Sequence, residues 1–191
     1  MNIEIRADGA HISGYINATG KYSRPVITPH GRCIEVIEER AFSEALSRAE
    51  NIPVTVDHGE IIYASTKDGT ASLREDAIGL RADDVLINNS ELITAARKHK
   101  IRGWSFGMTN VVDELEQRAE GLPIRHIKKL DLDHITLVIR KNPCYAATSV
   151  EVRADNEQTV ETRAFTDEEL KVTENAPEID YSDYERRIAA L

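Results

Sequence analysis

The chain has 191 residues, 41% of them hydrophobic and 30% charged, and carries a formal net charge of -9 at pH 7. That is enough for one domain with a proper core plus an appendage, and no run approaches the ~20 consecutive apolar residues of a membrane span. The acidic balance leaves no basic stripe for neutralising phosphates, which speaks against direct nucleic-acid binding.

The first residues, MNIEIRADG, lack the basic and then apolar layout of a signal peptide, so the protein is expected to be intracellular when made. Cys33 and Cys144 lie far apart with no metal-ligand spacing. Reduced packing residues are expected, with no metal and no cofactor. Residues 2–6 and 10–17 read as two strands joined by an Asp8-Gly9 turn. Residues 19–31 hold Gly20, Pro25, Pro29 and Gly31, too many breakers for regular structure, and lead into a β-rich run over 32–37. Ala41, Phe42, Ala45, Leu46 and Ala49 recur at helical spacing, which predicts a helix over 39–50 with one face on a sheet.

Residues 54–59, VTVDHG, alternate as a strand that ends at Gly59, with Asp57 and His58 facing opposite sides. An imidazole at a strand's end, accessible from a cleft, is well placed to act as a general base; a surface histidine in a turn is the structural alternative. Further strands are expected over 61–64, 71–75 and 78–85. A helix over 91–100 capped by Ser90 delivers the chain to Gly103, Trp104, Ser105, Phe106 and Gly107. In that GWSFG stretch the aromatics alternate away from Ser105, and the bracketing glycines let a neighbouring chain approach closely. A serine hydroxyl is a poor nucleophile without a base, so the histidines elsewhere decide what it can do.

Residues 108–115 continue as a strand, 114–121 form a polar loop, and 127–139 form a long strand. Strict alternation puts His134 on one side with Leu130 and Leu132, and Asp133 on the other unless a bulge intervenes. A buried strand histidine bonded to backbone is the structural alternative for His134. Arg140 to Pro143 then turn the chain. From Asp155 onward there are 11 acidic and 4 basic residues, which concentrates the negative charge in a tail. Thr166 and Ser182 each open a Thr/Ser-x-x-Glu capping pattern, so two short helical segments are expected there, separated by Pro177.

In order along the chain, GRCIEVIEERAFSEAL, VDHG, GLRADDVL, RGWSFGM and HITLVIRKNPCYAAT together resemble the prohead maturation proteases of tailed bacteriophages, a family similar in fold to the herpesvirus capsid maturation protease. The resemblance covers about residues 3–153. It implies a serine endopeptidase with Ser105 as nucleophile and His58 as general base. His134 stands where the phage pattern usually has a glutamate, but it resembles the herpesvirus relatives, which use a histidine as third member; Asp133 is its rival. Arg140, with Lys141, resembles a shortened oxyanion-supporting loop. The expected fold is α+β, a mostly antiparallel β-barrel or strongly bent sheet flanked by short helices, over 1–153. Residues 154–191 would form a largely disordered acidic tail that docks an assembly partner and is self-trimmed between Ala154 and Ala176. Implied partners are the major capsid protein and the scaffold protein as substrates and a second copy in a homodimer, without nucleic acid or membrane. The implied setting is the host cytoplasm, inside the assembling prohead. Two alternatives stand beside this reading: a catalytically inactive capsid assembly or scaffolding protein of the same fold, and a β-barrel binding module in which GWSFG is a packed turn.

Overall fold

The computed structural model of the chain describes residues 1–139, 150–152, 159–165 and 171–174. Alternating side chains build its first sheet. Ile3 and Ile5 of β1 (Asn2–Arg6) and Ala10, Ile12 and Ile16 of β2 (Gly9–Ala18) are buried, and the two strands pair antiparallel. β7 (Ala71–Glu75), β8 (Gly79–Ile87) and β13 (Lys171–Glu174) complete the order β13-β1-β2-β8-β7.

The second sheet is organised around two long antiparallel strands, β9 (Gly103–Glu116) and β10 (Ile124–Val138). β12 (Thr159–Phe165) and then β11 (Val150–Val152) lie beyond β9; β4 (Gly31–Ile37) and β3 (Val26–Thr28) lie beyond β10. β5 (Pro53–Val56) pairs with the far end of β10 and with β6 (Ala64–Ser65). Phe42 of α1 (Ala41–Arg48) meets Phe106 edge-on, ring centroids 5.4 Å apart, and one apolar cluster joins both sheets to α1 and α2 (Ser90–Arg97).

The α+β class and the antiparallel majority hold, but the barrel does not. Among the described residues neither sheet closes on itself. β10 pairs in parallel with β4 through Ile124–Ile127 and with β5 through Ile135–Leu137, so the second sheet branches at that strand instead of returning to its first edge.

Several local expectations shift. The loop over 19–31 contains β3, and the strand expected at 61–64 is reduced to β6, leaving Ile61 and Ile62 exposed. α2 is capped one residue early, by Asn89, whose side chain accepts from the Leu92 N–H at 3.0 Å. α1 has no side-chain cap of its own. Instead, Glu75 of β7 accepts from the Arg40 and Ser43 N–H groups. Two pieces of the expected tail are strands of the body's sheets, β12 against β9 and β13 against β1. The capping patterns at Thr166 and Ser182 lie outside the described residues, as do Arg140 and Cys144. Cys33 is buried and free, and burial pushes its thiol upward. Among the described residues no helix is long and apolar enough to cross a membrane.

Candidate active site

Ser105 is the third residue of β9, with Trp104 and Phe106 on the opposite face in the core. Directly paired residues share a face of a sheet, so the partners of Ser105 and Gly107 on β10, Thr136 and His134, stand beside the hydroxyl. This corrects the straight alternation expected for β10. Leu132 pairs with Met108 and His134 with Gly107, so Asp133 is the extra residue of a bulge. Past it the strand changes face: Leu130 and Leu132 point into the core before the bulge, Ile135 and Leu137 after it, and His134 is turned to the face of Ser105.

His58 arrives from another element. β5 stops at Val56, and Asp57 and His58 both adopt left-handed conformations, φ 49° and 60°, so they do not alternate as strand residues. Such conformations cost about 1–2 kcal/mol each for residues with a Cβ and persist where surrounding bonds enforce them. Here β10 supplies those bonds. The Asp57 carboxylate accepts from the Ile139 N–H at 2.8 Å, the Asp57 N–H donates to the Leu137 carbonyl at 2.9 Å, and the His58 N–H donates to the Thr136 hydroxyl at 3.1 Å.

The result is a continuous series of contacts. Ser105 Oγ lies 2.9 Å from His58 Nε2, His58 Nδ1 lies 2.7 Å from His134 Nε2, and His134 Nδ1 lies 2.7 Å from Asp133 Oδ2. The two imidazoles meet edge to face, 82° between planes. An ionised carboxylate only accepts, which fixes the hydrogen on His134 Nδ1. A neutral His134 then accepts at Nε2 from His58 Nδ1–H, leaving a lone pair on His58 Nε2 toward Ser105. His134 is the direct neighbour of His58, and Asp133 follows it. The sequence reading set the two as rivals; the bulge brings both into one series.

Two positioning residues escaped the sequence reading. Thr136 holds the His58 turn. Gly107 makes room for His134: a Cβ there would lie 2.4 Å from His134 Cε1 and 2.6 Å from Nδ1. The second glycine of GWSFG was the available signal.

Ser105 is covered, with 1% of its surface exposed. β12 runs antiparallel beside it, and its Arg163 carbonyl accepts from Ser105 Oγ at 2.6 Å. Behind that strand lies a buried charge network. Arg163 donates to Glu35 of β4, through Nη2 at 2.6 Å and through Nε, and to Glu161 at 2.7 Å; Arg125 of β10 binds Glu161 at 2.5 and 2.8 Å, Glu35 at 2.9 Å, and Asp113. Burial opposes charge on Glu161, yet the bonds and charges of Arg125 and Arg163 prevail and hold its carboxyl below the usual range. A cleft of about 860 Å³ behind the His58 turn, lined by Asp57, Tyr63, Leu92, His99 and Arg102, does not include Ser105.

A family model described as caudovirus prohead serine protease matches residues 1–163 of the chain. No curated protein and no solved structure matches it.

Proposed function

Because the chain belongs to the caudovirus prohead serine proteases, we propose that it is an endopeptidase that cuts capsid and scaffold proteins inside the assembling prohead, with Ser105 as nucleophile and His58 as general base. His134 orients His58, and Asp133 fixes the tautomer of His134. The observation that carries this reading is the unbroken series from Ser105 through His58 and His134 to Asp133.

Each contact has a task. As Ser105 Oγ attacks a peptide carbonyl carbon, its proton passes to His58 Nε2. The resulting imidazolium donates through Nδ1 to His134, and the negative charge of Asp133 stabilises it from one ring further away. The tetrahedral intermediate collapses, the C–N bond breaks, and His58 returns the proton to the leaving amine. Water then cleaves the acyl-enzyme by the same path in reverse. A neutral histidine in third place gives a weaker field than a carboxylate would, and Asp133 restores a formal charge behind it.

The remaining parts of the reading are a homodimer as the active form and trimming of the segment after residue 153 by the protease itself. The test is co-expression with the capsid and scaffold proteins, followed by mass spectrometry. Defined cleavage products should form with the wild-type chain and be absent with Ser105→Ala. Equal products from both proteins would refute the assignment.

A further inference from the structure

An extended substrate binds a sheet by adding a strand to it, placing one carbonyl at the nucleophile and alternate side chains in pockets. β12 already holds that position. It pairs antiparallel with β9, Arg163 opposite Phe106 and Ala164 opposite Ser105, and the Arg163 carbonyl receives the Ser105 hydroxyl hydrogen at 2.6 Å. The bond at the hydroxyl is therefore Arg163–Ala164.

The side chains beside that bond are read by the body of the protein. Arg163 is 5% exposed and is gripped by Glu35, while Glu161, two residues before it, is 3% exposed and is gripped by Arg125. Glu35 and Arg125 also bind each other, at 2.9 Å. β12 thus adds one charge of each sign to a pair that has one bond of its own and a further one from Arg125 to Asp113. Buried ion pairs are a poor way to stabilise a strand, since apolar residues of like volume do as well or better; their use is to select a partner and its register.

Resting on the assignment of Ser105 as nucleophile, we propose that β12 is a tethered substrate lying in the enzyme's own substrate channel. It blocks Ser105 until the Arg163–Ala164 bond is cut, and Glu35 and Arg125 are the specificity-determining residues that select a glutamate, any residue, then an arginine before the cut. In the seated state the hydroxyl faces the carbonyl oxygen, so the strand inhibits. Cleavage follows when Ser105 Oγ shifts to the carbonyl carbon: His58 takes its proton, the Arg163–Ala164 C–N bond breaks, and Ala164 nitrogen receives that proton. Water then hydrolyses the Ser105 ester, leaving a carboxylate on Arg163.

Full-length wild-type, Ser105→Ala, Glu35→Gln, Arg163→Met and Arg163→Lys proteins, each checked by circular dichroism, are incubated and followed by intact mass and amino-terminal sequencing. Labelling of Ser105 by a fluorophosphonate and cleavage of an added unfolded protein are measured in parallel. Wild type should acquire a new amino terminus at Ala164 and Ser105→Ala should not. Glu35→Gln and Arg163→Met should cut that bond at least tenfold more slowly yet label at least tenfold faster, because the strand sits less tightly; Arg163→Lys, which keeps the charge but loses the two-pronged contact with Glu35, should fall between Arg163→Met and wild type. A merely destabilised fold would lower both rates. The proposal is overturned if wild type labels and cuts the added protein while Arg163–Ala164 stays intact, or if folded Glu35→Gln loses both activities. If no variant labels or cuts anything, the protease assignment itself fails, and the tethered-substrate proposal with it.

Discussion

A methyl group on Gly107 tests the whole site without touching any reacting group. Its Cβ would stand 2.4 Å from His134 Cε1, 2.6 Å from Nδ1 and 3.2 Å from Val160 Cγ1. Carbon atoms rest at ~3.5–4.0 Å, so the imidazole must retreat by on the order of 1 Å. It cannot do so freely, since it is bonded at both nitrogens, each at 2.7 Å. A retreat of that size stretches the contact with His58 to roughly 3.7 Å, which is no longer a hydrogen bond. Misplacement by 1 Å in a catalytic arrangement costs about 10²-fold, or about 2.7 kcal/mol of barrier. The backbone itself accepts alanine, because Gly107 is not in a left-handed conformation, and overpacking should cost only about 1–3 kcal/mol of stability. The assay is kcat/KM for peptide cleavage together with the thermal midpoint. A folded Gly107→Ala protein within twofold of wild-type activity would refute the claim that His134 must occupy its observed place.

Ser105→Ala should lose about 10⁴ to 10⁶ of the rate while keeping its circular dichroism spectrum; retained cleavage would end the serine-protease assignment. Asp133→Asn should cost about 10²–10⁴ in kcat, since an amide can offer His134 the wrong atom, and His134→Ala should cost less than His58→Ala; wild-type rates for Asp133→Asn would remove Asp133 from the series. Glu161 has a native value held below its unfolded one, so its stabilisation is present above the unfolded value and is lost as pH falls through the native value. The groups facing it are Arg125 and Arg163, with Glu35 and Asp113 behind, and the acid limb of thermal midpoint against pH should be shallower in Glu161→Gln; an unchanged limb would refute the coupling. If the dimer is the active form, specific activity should rise with concentration across the range where sedimentation shows monomer converting to dimer, and a flat profile would exclude it.

Much of the site was legible as residue types, less as geometry. Ser105, His58 and His134 stand out because a hydroxyl between glycines and two imidazoles, one just past a strand's end and one within a strand, are chemically conspicuous. The bulge at Asp133 was also written in the sequence, as a change of parity. Leu130 and Leu132 are followed by Ile135 and Leu137, an apolar pattern that slips by one residue at Asp133-His134. Strict period two over the whole run hides that slip, and with it the reason both residues join one series of contacts. The left-handed turn at Asp57-His58 has no such signal, since its conformation is enforced by Thr136, Leu137 and Ile139 from far along the chain. From sequence alone β12 reads as part of the acidic tail for a similar reason. TVETRAF has charged residues at its inward positions, and the partners that allow their burial, Glu35 and Arg125, lie on β4 and β10. The α+β class follows from counting strands and helices, whereas closure depends on which edges pair, and that is set by the branching of β10.

The Ser105 hydroxyl has one hydrogen and two acceptors in reach, the Arg163 carbonyl at 2.6 Å and His58 Nε2 at 2.9 Å. With Asp133 ionised and both histidines neutral, His58 Nε2 carries a lone pair and the carbonyl can only accept, so one of the two contacts holds no hydrogen. Satisfying both requires one more proton on the histidine pair, which lets His58 Nε2–H donate to Oγ while Oγ–H donates to Arg163. In that state His58 cannot act as a base. Base action by His58 therefore needs that proton gone, and with both histidines neutral it also needs the Arg163 carbonyl lost as the competing acceptor of the Ser105 hydrogen, as when β12 leaves or its carbonyl carbon becomes the point of attack. If β12 is the tethered substrate proposed above, its departure would open the edge of β9 to another extended chain and, with both histidines neutral, would leave His58 Nε2 as the acceptor of the Ser105 hydrogen, coupling access to activation.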